Sequence, residues 1–494
     1  MPKLMPDQTQ QAANAPRHTV EKIGGTSMSR LPELLDTLFI GSRKGPERYQ
    51  RIFVVSAFAG ITDLLLEHKK SGKPGVFGLF SSADDDHGWL AALSSVAEAM
   101  CAAHASVLDH PGDRSLADDF VRDRIEGARS CLIDLQRVCS YGHFRLDHHM
   151  NVIRELLSGL GEAHSAYVTS LLLSRNGLSA RFVDLSGWRD DGEYSLAERI
   201  DAGLSGVDLA SELPIVTGYA QCSEGLMQEY DRGYSEVTFS RIAAQTAARE
   251  AIIHKEFHLS SADPKLVGAD KVRKVGHTNY DVADQLSNMG MEAIHPKAGK
   301  TLRQANVPLR VTNAFEPDDL GTLIEDFASR HATPEVITGL DVYSLELFEQ
   351  DMVGTKGYDS TILDTLTRHG LRIVSKVSNA NTIVHYVDAP LSAIRKVESD
   401  LHKIYPQAKI TVRSLAIVSV IGQNMENLRV LSRGLNLLHE AGLEPLATTQ
   451  TTRSVDVQFA MAREDLQPAI IALHRLIEED SEARSAADAP RRAA

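Results

Sequence analysis

The feature that most constrains the fold is a set of short runs that are apolar throughout instead of alternating. RIFVVSAF (51–58) and LPIVTGYA (213–220) are continuous, and ARFVDL (180–185) is a third strand-like piece. A strand buried on both faces reads this way, and such strands belong to parallel sheets covered by helices. Helix-like stretches lie between them: AGITDLLLEH follows the first run, and residues 84–176 are mostly helical in pattern. The expected fold is therefore α/β, a mostly parallel sheet sandwiched by helices, over about residues 18–330. A helical insertion is expected over about 71–150.

From about Val336 the texture changes. DVYSLELFEQD, YDSTILDTLTRHG, LRIVSKVSN, TIVHYVD, PLSAIRKVESDLHKIY and KITVRS read as β-α-β-β-α-β. LAIVSVIGQN, NLRVLSRGLNLLHEAG, LEPLATTQT, VDVQFAM and EDLQPAIIALHRLIEE repeat the first five elements. This is an internal α+β, ferredoxin-like repeat, with units expected at 336–413 and 414–480. The second copy has no final strand of its own, which predicts a shared strand or an interleaved pair. Residues 1–17 and 481–494 are expected to be disordered.

Composition narrows the function. A formal net charge of −14 argues against a general nucleic-acid binder. No apolar run is long enough to span a bilayer, and the first residues lack a signal-peptide core, so a cytoplasmic location is expected. Cys101, Cys131, Cys139 and Cys222 are read as reduced thiols, and the histidines of YGHFRLDHHM as solvated. No metal site is expected.

One stretch bears directly on chemistry. HTVEKIGGTSMSR (18–30) passes from a strand through Lys22 and Gly24-Gly25 into a helix. It matches neither GxxxxGK[ST] nor GxGxxG. Glycines admit a close backbone approach, and a helix start offers unpaired amides to an anion. Lys22 can meet charge on a phosphoryl group there. The alternative is a tight turn with Ser27 or Ser29 as N-cap and Lys22 in solvent.

Three further places carry signal. VVSAFAGITD ends a strand in small residues with Ser56 and Thr62, where ligands of open α/β sheets collect. LGEAHSAY puts Glu162 on an apolar helical face, either as a surface glutamate or as partner to a substrate ammonium. Arg232, Gly233 and Ser235 precede a helix and suit a carboxylate.

Together these motifs resemble the aspartate kinase family of the amino-acid kinase superfamily. EKIGGTSMS is similar to its K-[FI]-G-G-T-S signature, VVSAFAGITDLL to its V-V-S-A stretch, and GEAHSA to its G-E-x-x-S helix. SSADPKLV and the run from NYDVADQL to GTLI follow in the family's order, and the C-terminal repeat resembles paired ACT domains. An ectoine-associated branch is the nearest match.

The resemblance implies phosphoryl transfer from ATP with Mg2+ to L-aspartate, in a homodimer regulated by an amino acid such as lysine or threonine. It implies Lys22 and Glu236 as catalytic residues. Lys22, Gly24, Gly25, Ser27, Ser260 and Lys265 would hold ATP, and Ser56, Thr62, Glu162, Arg232 and Ser235 the substrate. Departures are visible. Tyr234 replaces a family glycine, Glu236 an aspartate, and Glu292 a nucleotide-contacting lysine. GQNMENLRVL lacks the effector loop's second glycine, and SKVSNANT and TTQTTRSVD stand where effector-binding strands lie. The competing readings are an amino-acid sensor without turnover and a kinase for another amino acid.

Overall fold

The computed structural model describes residues 18–69, 71–82, 88–230, 233–291, 293–327 and 332–488. The chain divides into two compact units. One holds the residues up to His258 together with Ile294–Glu325, and the other holds Leu259–Ala293 and the residues from Asp326 on.

In the first unit the strands are β1 (Thr19–Ile23), β2 (Arg51–Val55), β3 (Ala180–Val183), β4 (Leu213–Thr217), β5 (Glu250–Lys255), β6 (Leu309–Asn313) and β7 (Thr322–Glu325). They lie in the order β3-β4-β2-β1-β5-β6-β7. β1 pairs in parallel with β2 and β5, and β7 is antiparallel to β6. Every residue of β1, β2 and β4 is buried; for β2 and β4 this explains their continuous apolar reading, while β1 buries Glu21 and Lys22 as well. From β1 the chain moves outward one way to β2, β4 and β3, and the other way to β5 and β6. β1 is thus the topological switch point, and ligands of open α/β sheets bind off its carboxyl end.

Helices cover both faces. α1 (Gly25–Met28) follows β1 directly. The expected helical insertion contains α2 (Gly88–Ala105) and α3 (Pro111–Cys139), followed by α4 (Met150–Arg175) and later α5 (Tyr234–Gln245). α2 buries Trp89, Leu93, Val96, Met100 and His104, a three-and-four spacing that faces α3. α3 starts with Pro111 at N1 behind His110, whose ring accepts from the Gly112 amide. α4 packs on β3 and β4 and is buried along most of its length.

The second unit carries an antiparallel sheet of β8 (Thr333–Phe348), β9 (Arg372–Ser378), β10 (Thr382–Asp388), β11 (Lys409–Gln423), β12 (Ala447–Gln450) and β13 (Asp456–Ala462), in the order β9-β10-β8-β11-β13-β12. The repeat is interleaved, and the missing strand is found. β8 and β11 pair along their whole lengths. The second half of β8 and the first half of β11 serve the first repeat. Their other halves serve the second, so its fourth strand comes from chain that precedes the first repeat. The cores agree. Leu345 and Leu347 of β8 pack with Ile362, Leu366, Ile394 and Val397, whereas Ile337 packs with Val418, Phe459, Leu473 and Leu476.

Two expectations differ from the structure. The last helix, Leu466–Asp488, continues into the segment expected to be disordered, because EARSAAD is rich in strong helix formers. Residues 259–293, expected within the α/β domain, fall in the compact unit that also holds the C-terminal sheet.

Candidate active site

Alternation along β1 turns Glu21 and Lys22 to opposite faces of the sheet. Lys22 is only 9% exposed, which removes the reading of a solvated lysine. Its Nζ donates to Glu236 Oε1 at 3.3 Å, and the other Glu236 oxygen accepts from the His295 amide. Glu236 lies in the first turn of α5. Burial pushes its carboxyl up, but Lys22, Lys255 and the His295 amide together hold it below the usual range, so it is charged.

Neither Ser27 nor Ser29 caps the helix after β1. The N-cap is Gly24, extended at φ −74 and ψ 159. The first helical bond runs from the Met28 amide to the Gly24 carbonyl, which leaves the Gly25, Thr26 and Ser27 amides outside the ladder. Gly25 is there for space: a Cβ would stand 2.7 Å from the Ala57 carbonyl oxygen. The glycine turn can therefore lie against the turn that follows β2. The Ser27 hydroxyl, expected at a phosphate, instead donates to Glu256 Oε1 at 2.6 Å and is fully buried.

The end of β2 supplies Ser56, whose Oγ lies 3.5 Å from Ser235 Oγ at the start of α5. Ser165 of α4 donates to the Ser56 carbonyl at 2.7 Å and fixes that turn. Thr62 is half-buried in the short helix Ile61–Leu65 just beyond.

Glu162 is the decisive side chain. It projects from α4, is 2% exposed, and its Oε2 has no hydrogen-bond partner among the described residues. Burial pushes its carboxyl up to about 8, although Lys22, a Tyr219 backbone hydrogen bond and the Tyr234 side chain pull the other way. Gly218, at the end of β4, makes room for it. A Cβ there would stand 2.8 Å from Glu162 Oε2 and 2.7 Å from Ser235 Cβ. A buried carboxylate oxygen without a donor needs a cation or a proton.

The first unit thus gathers Lys22, Gly24, Gly25, Ser56, Glu162, Ser235 and Glu236 at the carboxyl ends of β1, β2 and β4. Ser260 and Lys265 belong to the second unit. There Ser260 donates to the Ala262 carbonyl at 3.1 Å, and Lys265 is exposed in the first turn of a helix capped by Asp263. Arg232 and Glu292 lie outside the described residues. Sequence reasoning missed the Tyr234 phenol, Gly218 and the His295 amide. Only Gly218 left a signal, as a glycine at the carboxyl end of an apolar strand.

Residues 17–313 match the model of the amino acid kinase family. The chain is 50% identical over 462 residues to "Aspartate kinase Ask_Ect" of Stutzerimonas stutzeri, covering 93% of this chain and 97% of that protein. Its fold is similar to that of Escherichia coli aspartokinase III in complex with lysine and aspartate, at TM-score 0.69 and 17% identity over 93% of this chain and 99% of that one. The same enzyme with aspartate and ADP gives TM-score 0.67 at 16% identity, over 93% and 100% of the two chains. Among the described residues no helix is long and apolar enough to cross a membrane.

Proposed function

Because the chain belongs to the amino acid kinase family, and within it to the aspartate kinases, we propose that it transfers the γ-phosphoryl group of Mg-ATP to the β-carboxylate of L-aspartate. The product is 4-phospho-L-aspartate, an acyl phosphate for aspartate-family amino acid or ectoine biosynthesis. The observation that carries this reading is the buried, unpartnered Glu162 Oε2 beside Lys22. An α-ammonium group supplies the charged donor that Glu162 lacks, whereas an N-acylated acceptor offers only a neutral amide N–H.

The acceptor carboxylate has a reference pKa near 3.9 and is ionised at neutral pH, so the nucleophile needs no general base. Catalysis then consists of positioning and charge stabilisation. Lys22 and the amides beside Gly24 and Gly25 hold the transferring group, and Glu236 holds Lys22 in place. Ser56 and Ser235 orient the acceptor, and Arg232 takes a substrate carboxylate by its place in the motif. Magnesium arrives with the nucleotide and supplies charge neutralisation on its phosphates.

The regulatory reading has support within the second unit. Ser375, Lys376, Thr449, Thr451, Arg453 and Asp456, from the two stretches that stand where effector strands lie, line one cavity of about 470 Å³. We assign it to a free amino acid, and a rise in melting temperature with lysine or threonine tests this.

The activity is tested by trapping the acyl phosphate as its hydroxamate. Expected is a signal that needs both ATP and aspartate and vanishes in Lys22→Ala. No hydroxamate from folded wild-type protein, with aspartate still binding, identifies a sensor instead. Greater turnover with glutamate identifies another acceptor.

A further inference from the structure

The sequence reading treats every cysteine as a plain thiol and expects no metal; in the fold Cys101 stands in a cluster that reading did not bring together. In CAAH, Cys101 and His104 stand one turn apart on α2, and the loop into α3 brings Asp118 beside them. A sulfur, an imidazole nitrogen and a carboxylate oxygen, one from each, all lie within 4.8 Å of one another. His104 Nε2 is 2.9 Å from Asp118 Oδ1, and the Cys101 thiol also hydrogen-bonds to Asp118. The other ring nitrogen of His104 is 3.1 Å from His164 Nε2, on α4. His164 is fully buried, and its Nδ1 has no partner among the described residues.

We propose that Cys101, His104 and Asp118 form a binding site for one zinc-class divalent ion, with His164 orienting His104 from behind. The donor set is what such an ion takes: one thiolate, one imidazole and one carboxylate, with water in the fourth position of a tetrahedron. Charge closes as well, since a thiolate and a carboxylate neutralise a dication at a half-buried place. The imidazole-to-imidazole contact has the form of an outer-shell partner, in which a ligating histidine gives its second N–H to a fixed acceptor. On binding, the thiol proton leaves to solvent and the hydrogen bonds to Asp118 give way to metal bonds. His104 then keeps its proton on Nδ1, donated to His164 Nε2.

A nucleophilic Cys-His-Asp set is disfavoured by order. Activation needs the thiol against the imidazole and the carboxylate behind it, whereas here the carboxylate bonds both. Access is from the α2–α3 side, because Cys101 is part-exposed and the Asp118 side chain is 47% exposed. The ion would tie α2 to α3 and set the ring of His164, which lies two residues from Glu162. That ring also packs on Phe58 at 5.4 Å between centroids.

The test uses full-length protein freed of metal by a chelator and titrated with Co2+ as a spectroscopic stand-in. Expected are one equivalent bound with a thiolate-to-cobalt charge-transfer band, displacement by one equivalent of Zn2+, and a melting temperature raised by Zn2+. Cys101→Ser, at a part-exposed position, should fold, lose the band and bind weakly. Asp118→Asn should keep the band with weaker binding. His164→Gln should keep the band and lose about 10- to 100-fold in affinity. No band in the wild type overturns the proposal. So does an undiminished band in Cys101→Ser, which would place the metal on Cys131, Cys139 or Cys222.

Discussion

Glu21 and Lys22 are neighbours on one buried strand, yet the two faces they enter are built on different principles. On the Glu21 face the buried charges answer one another. Arg51 donates to both Glu21 oxygens at 2.8 and 3.0 Å, His254 Nε2 lies 2.8 Å away, and Thr19 adds a bond at 2.7 Å. Arg51 also donates to the Leu38 and Phe39 carbonyls. Burial opposes the charge on Glu21, but Arg51 and His254 hold its carboxyl well below the usual range. On the Lys22 face the charges do not close. Glu236 is satisfied, and Glu162 is left with a bare oxygen. Evenly satisfied buried charge fixes a scaffold, and buried charge left short of a partner marks where a ligand is due.

The sharpest way to break this comparison is to cut the closed network. Arg51→Met leaves Glu21 buried with its main partner gone and should destabilise the protein by about 3–5 kcal/mol in urea titration. Below its melting temperature the variant should retain turnover within a few-fold. Loss of hydroxamate formation in protein that is demonstrably folded would place catalysis on the Glu21 face too. Lys22→Met is the mirror experiment. Its turnover should fall about 10²–10³-fold, the scale for removing one preorganised donor to a developing charge. A variant with near-normal kcat would remove Lys22 from the chemistry.

Glu162→Gln sharpens the contrast, since it removes the carboxyl whose second oxygen lacks a partner in the free protein and which must ionise to take an ammonium. Aspartate KM should rise about 10- to 100-fold, the worth of one charged hydrogen bond, with a smaller change in kcat. The free carboxyl has its pKa near 8, so below that pH the substrate ammonium must displace a proton. Aspartate affinity should therefore rise about tenfold per pH unit well below 8 and level off above it, with proton release seen by calorimetry in buffers of different ionisation enthalpy. A flat profile in the wild type would disprove the assignment. The two faces should also differ in stability against pH. Glu21 has a lowered pKa, so its stabilisation is present at neutral pH and is lost as pH falls below the ordinary 4.5. Glu162 has a raised one, so the folded state holds its proton, and stability declines as pH rises from 4.5 to about 8. Thermal melts of ligand-free Glu162→Gln should lack that decline.

Much of this was legible in the chain because the signals are local. RIFVV and LPIVT read as buried parallel strands because no residue in them faces water. Lys22, Gly25, Glu162 and Ser235 were recoverable because each sits at an element end or on a helical face whose period is visible. What was hidden depends on distant pairing. The fourth strand of the second repeat precedes the first repeat, so no reading in chain order could assign it. The Ser27 hydroxyl turns to Glu256, 229 positions away. Asp118 completes the CAAH pair only because two helices lie side by side, and one ligand pair alone does not announce a metal.

The smallest effect tests the most unusual member of the open face. Tyr234 is buried, meets Tyr219 edge-on at 5.7 Å between centroids, and its side chain hydrogen-bonds to Glu162. That bond favours the ionised carboxylate, which is the form an ammonium requires. Tyr234→Phe keeps the ring and its packing while deleting the hydroxyl. The Glu162 pKa should then rise further, the pH at which aspartate affinity levels off should move up with it, and KM at neutral pH should rise a few-fold, as for one hydrogen bond of about 1 kcal/mol. Melting temperature should stay near wild type, since the aromatic pair remains. If KM rises while the pH profile stays put, the phenol contacts substrate directly. If neither moves, the tyrosine is packing alone, and Glu162 is held by burial and Lys22 without it.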